Sequence, residues 1–194
     1  VPSVVPWSAL ISGYAQNQLN HEALNCFRQM QIAGVSPDAI TYVSILKACG
    51  NVGSLEIGEA IYAKVRQKGL LDKDVVLGTS LVDMYSKCGR FLEAHDVFNR
   101  LSIQNVVSWT ALITGYIEHG FHTKALTCFK QMQNRGVYPD VITFVGCLKA
   151  ASSQKDARKG QYLHLHIIKE KFERDIFIGN GLVDMYGQCG LLVE

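Results

Sequence analysis

Three features of this 194-residue sequence have residue types that could do chemistry. His164 and His166 stand two apart in HLH. Six cysteines run from Cys26 to Cys189. Gly179-Asn180-Gly181 has the composition of a nucleotide loop. None has the spacing its chemistry needs. Helical metal ligands sit three or four residues apart, so a two-residue step turns one imidazole away. No two cysteines form C-x-x-C, which excludes the usual zinc-ribbon and redox arrangements. A dinucleotide loop follows a strand, and no strand is plausible before Gly179. The sequence therefore points to no metal, no cofactor and no enzymatic centre.

A more regular set consists of Asp38, Asp74, Asn105, Asp140 and Asp175, each standing where a helix-periodic stretch begins. An Asp or Asn there caps the helix, its side chain accepting an orphan N–H for about 1 kcal/mol. The capping role explains all five on its own.

The elements behind these caps repeat. VVPWSALISGY at 4–14 returns as VVSWTALITGY at 106–116, a shift of 102 residues that also carries Cys26-Phe27 onto Cys128-Phe129 and Pro37-Asp38 onto Pro139-Asp140. LVDMY at 81–85 returns at 182–186, one residue early. A residue type that recurs at one slot, as Cys26/Cys128 and Cys88/Cys189 do, reads as small buried packing, which suits a reducing compartment. Within each period lie three pairs of apolar stripes. Trp7, Leu10, Ile11 and Tyr14 form one helix face, as do Tyr42, Ile45, Leu46 and Cys49, and then Leu81, Val82 and Tyr85. Second stripes follow: Ala23, Phe27 and Met30; Ala60, Ile61 and Val65; Ala94, Val97, Phe98 and Leu101. Gly34 and Gly136 are placed as left-handed helix ends, with Pro37 and Pro139 beyond them.

The predicted architecture is all-α. Helical hairpins span 4–38, 39–74, 75–105, 106–140 and 141–175, and a truncated sixth spans 176–194. One hairpin cannot bury its stripe alone, so the hairpins stack into a superhelix. The net charge of +2 neither demands nor excludes a nucleic-acid partner. No apolar run reaches the roughly 20 residues of a membrane span. The chain opens without Met and reads as a piece of a longer array.

Hairpins of about 35 residues carrying V-V-x-W-x-A-L-I-x-G-Y, E-A-L-x-x-F-x-x-M and G-V-x-P-D resemble pentatricopeptide repeats (PPR). The alternation of 35, 36 and 31 residues, with L-V-D-M-Y-x-K-C-G in the short unit, is similar to the plant PLS subclass. The resemblance implies a right-handed α-solenoid ordered P (4–38), L (39–74), S (75–105), P (106–140), L (141–175) and truncated S (176–194).

The resemblance further implies single-stranded RNA recognition, one nucleotide per repeat, read by the fifth and last residues. The polar pairs are then Ser8 with Asp38, Thr79 with Asn105, and Thr110 with Asp140, and Asn180 begins a pair. Val43 with Asp74 and Val145 with Asp175 read weakly or not at all. A carboxylate only accepts, which suits G or U; an Asn amide also donates, which suits A or C. With hydroxyls marking purines and Asn a pyrimidine, the expected RNA is G-n-A-G-n-(C or U). The second residues, Val5, Ile40, Val76, Val107, Ile142 and Phe177, would stack between bases, although Val5 and Val107 could equally be core. Lys47, Lys149 and Lys87 are candidates for phosphate contacts. Many PLS proteins continue into a cytidine deaminase domain, whose H-x-E and P-C-x-x-C are absent here. This stretch would address an editing site in a plastid or mitochondrion without catalysing, with multiple organellar RNA editing factor proteins as implied partners. The alternative is a scaffold binding peptides on the same architecture.

Overall fold

In a computed structural model, residues 3–71 and 73–191 are described. Among them every regular element is an α-helix: α1 (Val4–Gln16), α2 (Asn20–Ile32), α3 (Ala39–Val52), α4 (Leu55–Gln67), α5 (Val75–Lys87), α6 (Phe91–Arg100), α7 (Val106–Glu118), α8 (His122–Asn134), α9 (Val141–Ser153), α10 (Ala157–Lys169) and α11 (Ile176–Gln188). The chain falls into two compact units, Val1–Gln104 and Asn105–Glu194.

The first helix of every hairpin is individually capped. Ser3, Asp38, Asp74, Asn105, Asp140 and Asp175 each accept a backbone N–H from two or three residues ahead. Among second helices only α10 has a side-chain cap, Asp156. The others, α2, α4, α6 and α8, begin without one. Their entry is set by the corner before them, where a left-handed residue ends the first helix. Leu19 N–H reaches back to the Tyr14 carbonyl at 2.9 Å, Arg90 to Tyr85 at 2.9 Å and Phe121 to Tyr116 at 2.8 Å. This six-to-one bond closes a Schellman corner. Gly34 and Gly136 have φ of 70° and 72° and end α2 and α8 in the same way, as their sequence positions predicted. The shorter hairpin lacks this device after α6; there Gln104 Nε2 donates to the Phe98 carbonyl at 3.1 Å.

In the first unit α1, α3 and α5 pack in succession; α2 lies against α1 and α3, α4 against α3 and α5, and α6 against α5. The second unit repeats the scheme with α7, α9 and α11, backed by α8 and α10. The cores hold Ile11, Phe27, Tyr42, Ile45, Leu81 and Tyr85 in one unit and Trp109, Phe129, Phe144, Leu148 and Met185 in the other. Cys26, Cys49, Cys128 and Cys147 are buried. Burial pushes the Cys49 thiol up to about 12 and that of Cys128 up to about 11.

Two stripe residues face outward. Leu10 is exposed although its counterpart Leu112 is buried, and Ala60 is exposed on α4. The inward face of α4 is Gly58, Ile61 and Val65. A Cβ on Gly58 would meet the Met84 side chain, and one on Gly160 that of Met185. These glycines are therefore packing positions where α4 meets α5 and α10 meets α11.

Candidate nucleic-acid interface

The cap geometry sets the site. A capping carboxylate bonds the N–H three residues on through Oδ1, which fixes the group at the mouth of its helix. At two of these caps, Asp38 and Asp140, the preceding helix in the stack contributes its fifth residue to the same point. In the first unit Ser8 Oγ donates towards both Asp38 oxygens, at 3.1 Å each, and lies 2.7 Å from Thr41 Oγ1. Thr41 donates twice to Asp38 Oδ1, from its N–H at 2.8 Å and its hydroxyl at 2.6 Å. Burial works to raise the Asp38 pKa. The hydrogen bonds from Thr41 and Ser8 outweigh it and hold the carboxyl below the usual carboxylate range.

The second unit builds the same site one link longer. Thr143 donates to Asp140 Oδ1 from its N–H at 2.8 Å and its hydroxyl at 2.7 Å. Thr110 Oγ1 lies 2.7 Å from Thr143 Oγ1. Thr110 therefore meets Asp140 through Thr143, whereas Ser8 also touches Asp38 directly.

The remaining positions differ. Asp74 caps α5 through Leu77 N–H at 3.0 Å, and Asp175 caps α11 through Phe177 and Ile178 N–H at 2.9 and 3.1 Å. Their partners by sequence, Val43 and Val145, are half-buried aliphatics. Thr79 and Asn105 belong to different units. Within its own unit Thr79 is buried and its hydroxyl has no hydrogen-bond partner among the described residues. Asn105 caps α7 through Ser108 N–H at 3.1 Å. Asn180 is exposed on α11.

Ser8, Thr79 and Thr110 are only 7–8 % exposed, so they are not idle surface hydroxyls. The second residues show the reverse. Val5, Ile40, Val76, Val107, Ile142 and Phe177 are 58–68 % exposed, so Val5 and Val107 are not core. Each first helix thus presents an apolar side chain to solvent at its second position, and α11 adds Ile176. Lys47 and Lys149 are exposed. Lys87 is held by Asp83 at 2.8 Å.

Thr41 and Thr143 were missed by sequence reasoning. Their signal is the spacing Asp38-x-x-Thr41 and Asp140-x-x-Thr143, a cap followed by a hydroxyl at the third helical position. Among the described residues no three or more His, Cys, Asp or Glu side chains gather to hold a metal. No helix there is long and apolar enough to cross a membrane.

Stacked hairpins whose first helices are each capped by a side chain and expose an apolar second residue define a helical-repeat protein. Residues 2–51 and 104–152 match the model of the PPR repeat family, and residues 79–105 match that of the PPR repeat. This chain belongs to the PPR repeat family. It is 36% identical over 192 residues to the Arabidopsis thaliana pentatricopeptide repeat-containing protein At1g03540, covering 98% of this chain and 31% of that protein. It is 34% identical to the A. thaliana chloroplastic protein At4g18520, covering 99% and 31%, and 36% identical to the mitochondrial At3g09040, covering 100% and 19%. The chain thus spans less than a third of the length of these relatives. The crystal structure of the pentatricopeptide repeat protein PPR10 in complex with an 18-nt psaJ RNA element matches with a TM-score of 0.78. That match has 21% identity and covers 98% of this chain and 28% of that one. Nuclear proteinaceous RNase P 2 of A. thaliana matches with a TM-score of 0.59 at 14% identity, over 84% of this chain and 38% of that one. These likenesses bear out the all-α hairpin fold.

Proposed function

We propose that this chain is part of an array that binds single-stranded RNA sequence-specifically, one nucleotide per hairpin, in a plastid or mitochondrion. The observation that carries the reading is the convergence of Ser8 on the Asp38 carboxylate, 3.1 Å apart although 30 residues separate them. The exposed second residues support it, because an unstacked strand needs apolar surfaces between its bases. RNA binding by the PPR10 relative, and the chloroplastic and mitochondrial names of others, agree with it.

The hairpins follow the order P, L, S, P, L and truncated S. The bases are read by Ser8/Asp38, Thr79/Asn105, Thr110/Asp140 and Asn180, giving G-n-A-G-n-(C or U). The L units, with Val43 and Val145, contribute stacking without discrimination. The array recognises rather than catalyses. Its target is a cytidine-to-uridine editing site, and multiple organellar RNA editing factor proteins dock on the L units.

The test is direct binding to short RNAs that fit G-n-A-G-n-Y and to ones that violate it singly. Each violated polar position should cost about 1–3 kcal/mol, while changes at n should cost little. Equal binding to every RNA, with binding to peptides instead, would establish the scaffold reading.

A further inference from the structure

We propose that Thr143 is a positioning residue that sets which base the fourth site accepts, by holding the Thr110 hydroxyl with its proton turned inward. The inference rests on the RNA reading above and adds a third residue to one of its sites.

A threonine hydroxyl carries one proton and two lone pairs. Thr143 Oγ1 lies 2.7 Å from the Asp140 carboxylate, which can only accept, so its proton goes there. The 2.7 Å contact between Thr143 and Thr110 is then filled by the proton of Thr110. In the first unit the Thr41 proton goes to Asp38 at 2.6 Å. The Ser8 proton goes either to Thr41 at 2.7 Å or to Asp38 at 3.1 Å. In both sites every hydroxyl proton is engaged within the protein. What remains for a base is acceptor lone pairs alone. Such an edge satisfies guanine, which presents a ring N–H and an exocyclic amine. It leaves the ring nitrogen of adenine, an acceptor, facing another acceptor.

The same position elsewhere in the chain is consistent. Leu77, three residues past Asp74, and Ile178, three past Asp175, are fully buried and apolar. The fifth residues that precede those caps are Val43 and Val145. Hydroxyl accompanies hydroxyl and aliphatic accompanies aliphatic. Ser108, three past Asn105, takes a different path: its hydroxyl donates to the Asn105 backbone carbonyl at 2.9 Å. The Asn105 side chain thus receives no hydroxyl proton from Ser108.

Removing the Thr143 hydroxyl frees the Thr110 proton to point towards the base, where adenine accepts it. The Thr143→Val variant keeps the β-branched shape and the capping N–H, so the helix should form unchanged. Measured against RNAs carrying G or A at the fourth position, the native chain should prefer G at least about tenfold. Thr143→Val should fall to within about twofold, and Thr143→Ser should restore the preference. Thr41→Val should keep the preference for G at the first position, because the Ser8 proton still reaches Asp38. A preference retained by Thr143→Val overturns the proposal and leaves the RNA reading intact. Equal loss of both RNAs means the threonine only supports the fold, and also overturns it. A native chain that does not discriminate, or binds no RNA, removes the reading itself.

Discussion

At the scale of the residue, Asp38 and Asp140 each carry two demands. Asp140 ends an orphan N–H of α9 and also orients Thr143. Asn caps as well as Asp, so Asp140→Asn should leave the helix start and the thermal stability nearly unchanged. Its amide adds donors that a carboxylate lacks. The preferred fourth base should therefore move from G to A, with a relative change of about tenfold in competition binding. Unchanged preference would mean Asp140 is a cap and nothing more. Asp38 offers a second check, by pH. Its folded pKa is depressed below the ordinary 3.8. Its contribution to stability is therefore fully present above that value and lost as pH falls through the lowered pKa. Acid unfolding curves of the native chain and Asp38→Asn should differ in slope only at and below that range. The caps were legible in the sequence because Asp or Asn before an apolar stripe is a local signal. The hydroxyl relay was not, because its members are 33 residues apart and become neighbours only when two hairpins stack.

At the scale of the element, the hairpin corners decide where each helix points. Glycine at φ near 70° costs little, and Gly34, Gly53, Gly89, Gly120, Gly136 and Gly190 fill such positions. Gln18, Lys155 and Lys171 adopt the same region with φ of 60°, 50° and 63°. A side chain there costs about 1 kcal/mol relative to glycine. Lys155→Gly and Lys171→Gly should each raise the melting temperature, by about 2–4 °C. A fall in either would show that the lysine side chain contributes more than its backbone loses. Helix positions were readable because stripes at i, i+3, i+4 and i+7 survive in almost every segment. The inward face of α4 was misassigned at Ala60 because the first of its three residues is Gly58. A glycine carries no hydropathy signal, and the close approach of Met84 that requires it is tertiary. Leu10 also reads as core by period, as its counterpart Leu112 is, and lies exposed on α1.

At the scale of the whole molecule, the balance of forces is set by a formal charge of +2 on 194 residues. A binder that works by neutralising phosphates would be far more basic and would lose affinity steeply with salt. Here the candidate phosphate contacts reduce to Lys47 and Lys149, since Lys87 is paired with Asp83. Each phosphate neutralised on a single strand contributes about −0.7 to the slope of log K against log salt. Two contacts give a slope of roughly −1.4. On the proposed RNA reading the remaining affinity comes from base edges at the polar sites and from the apolar side chains beside the caps, neither of which releases counterions. Lys47→Ala and Lys149→Ala should each flatten the slope by about 0.7 while leaving the preference among bases intact, because a phosphate contact carries no sequence information. Titrations of the native chain and both variants over a range of salt concentrations check this. A slope several times steeper, unaffected by either substitution, would mean that the strand follows a charged path other than the line of caps.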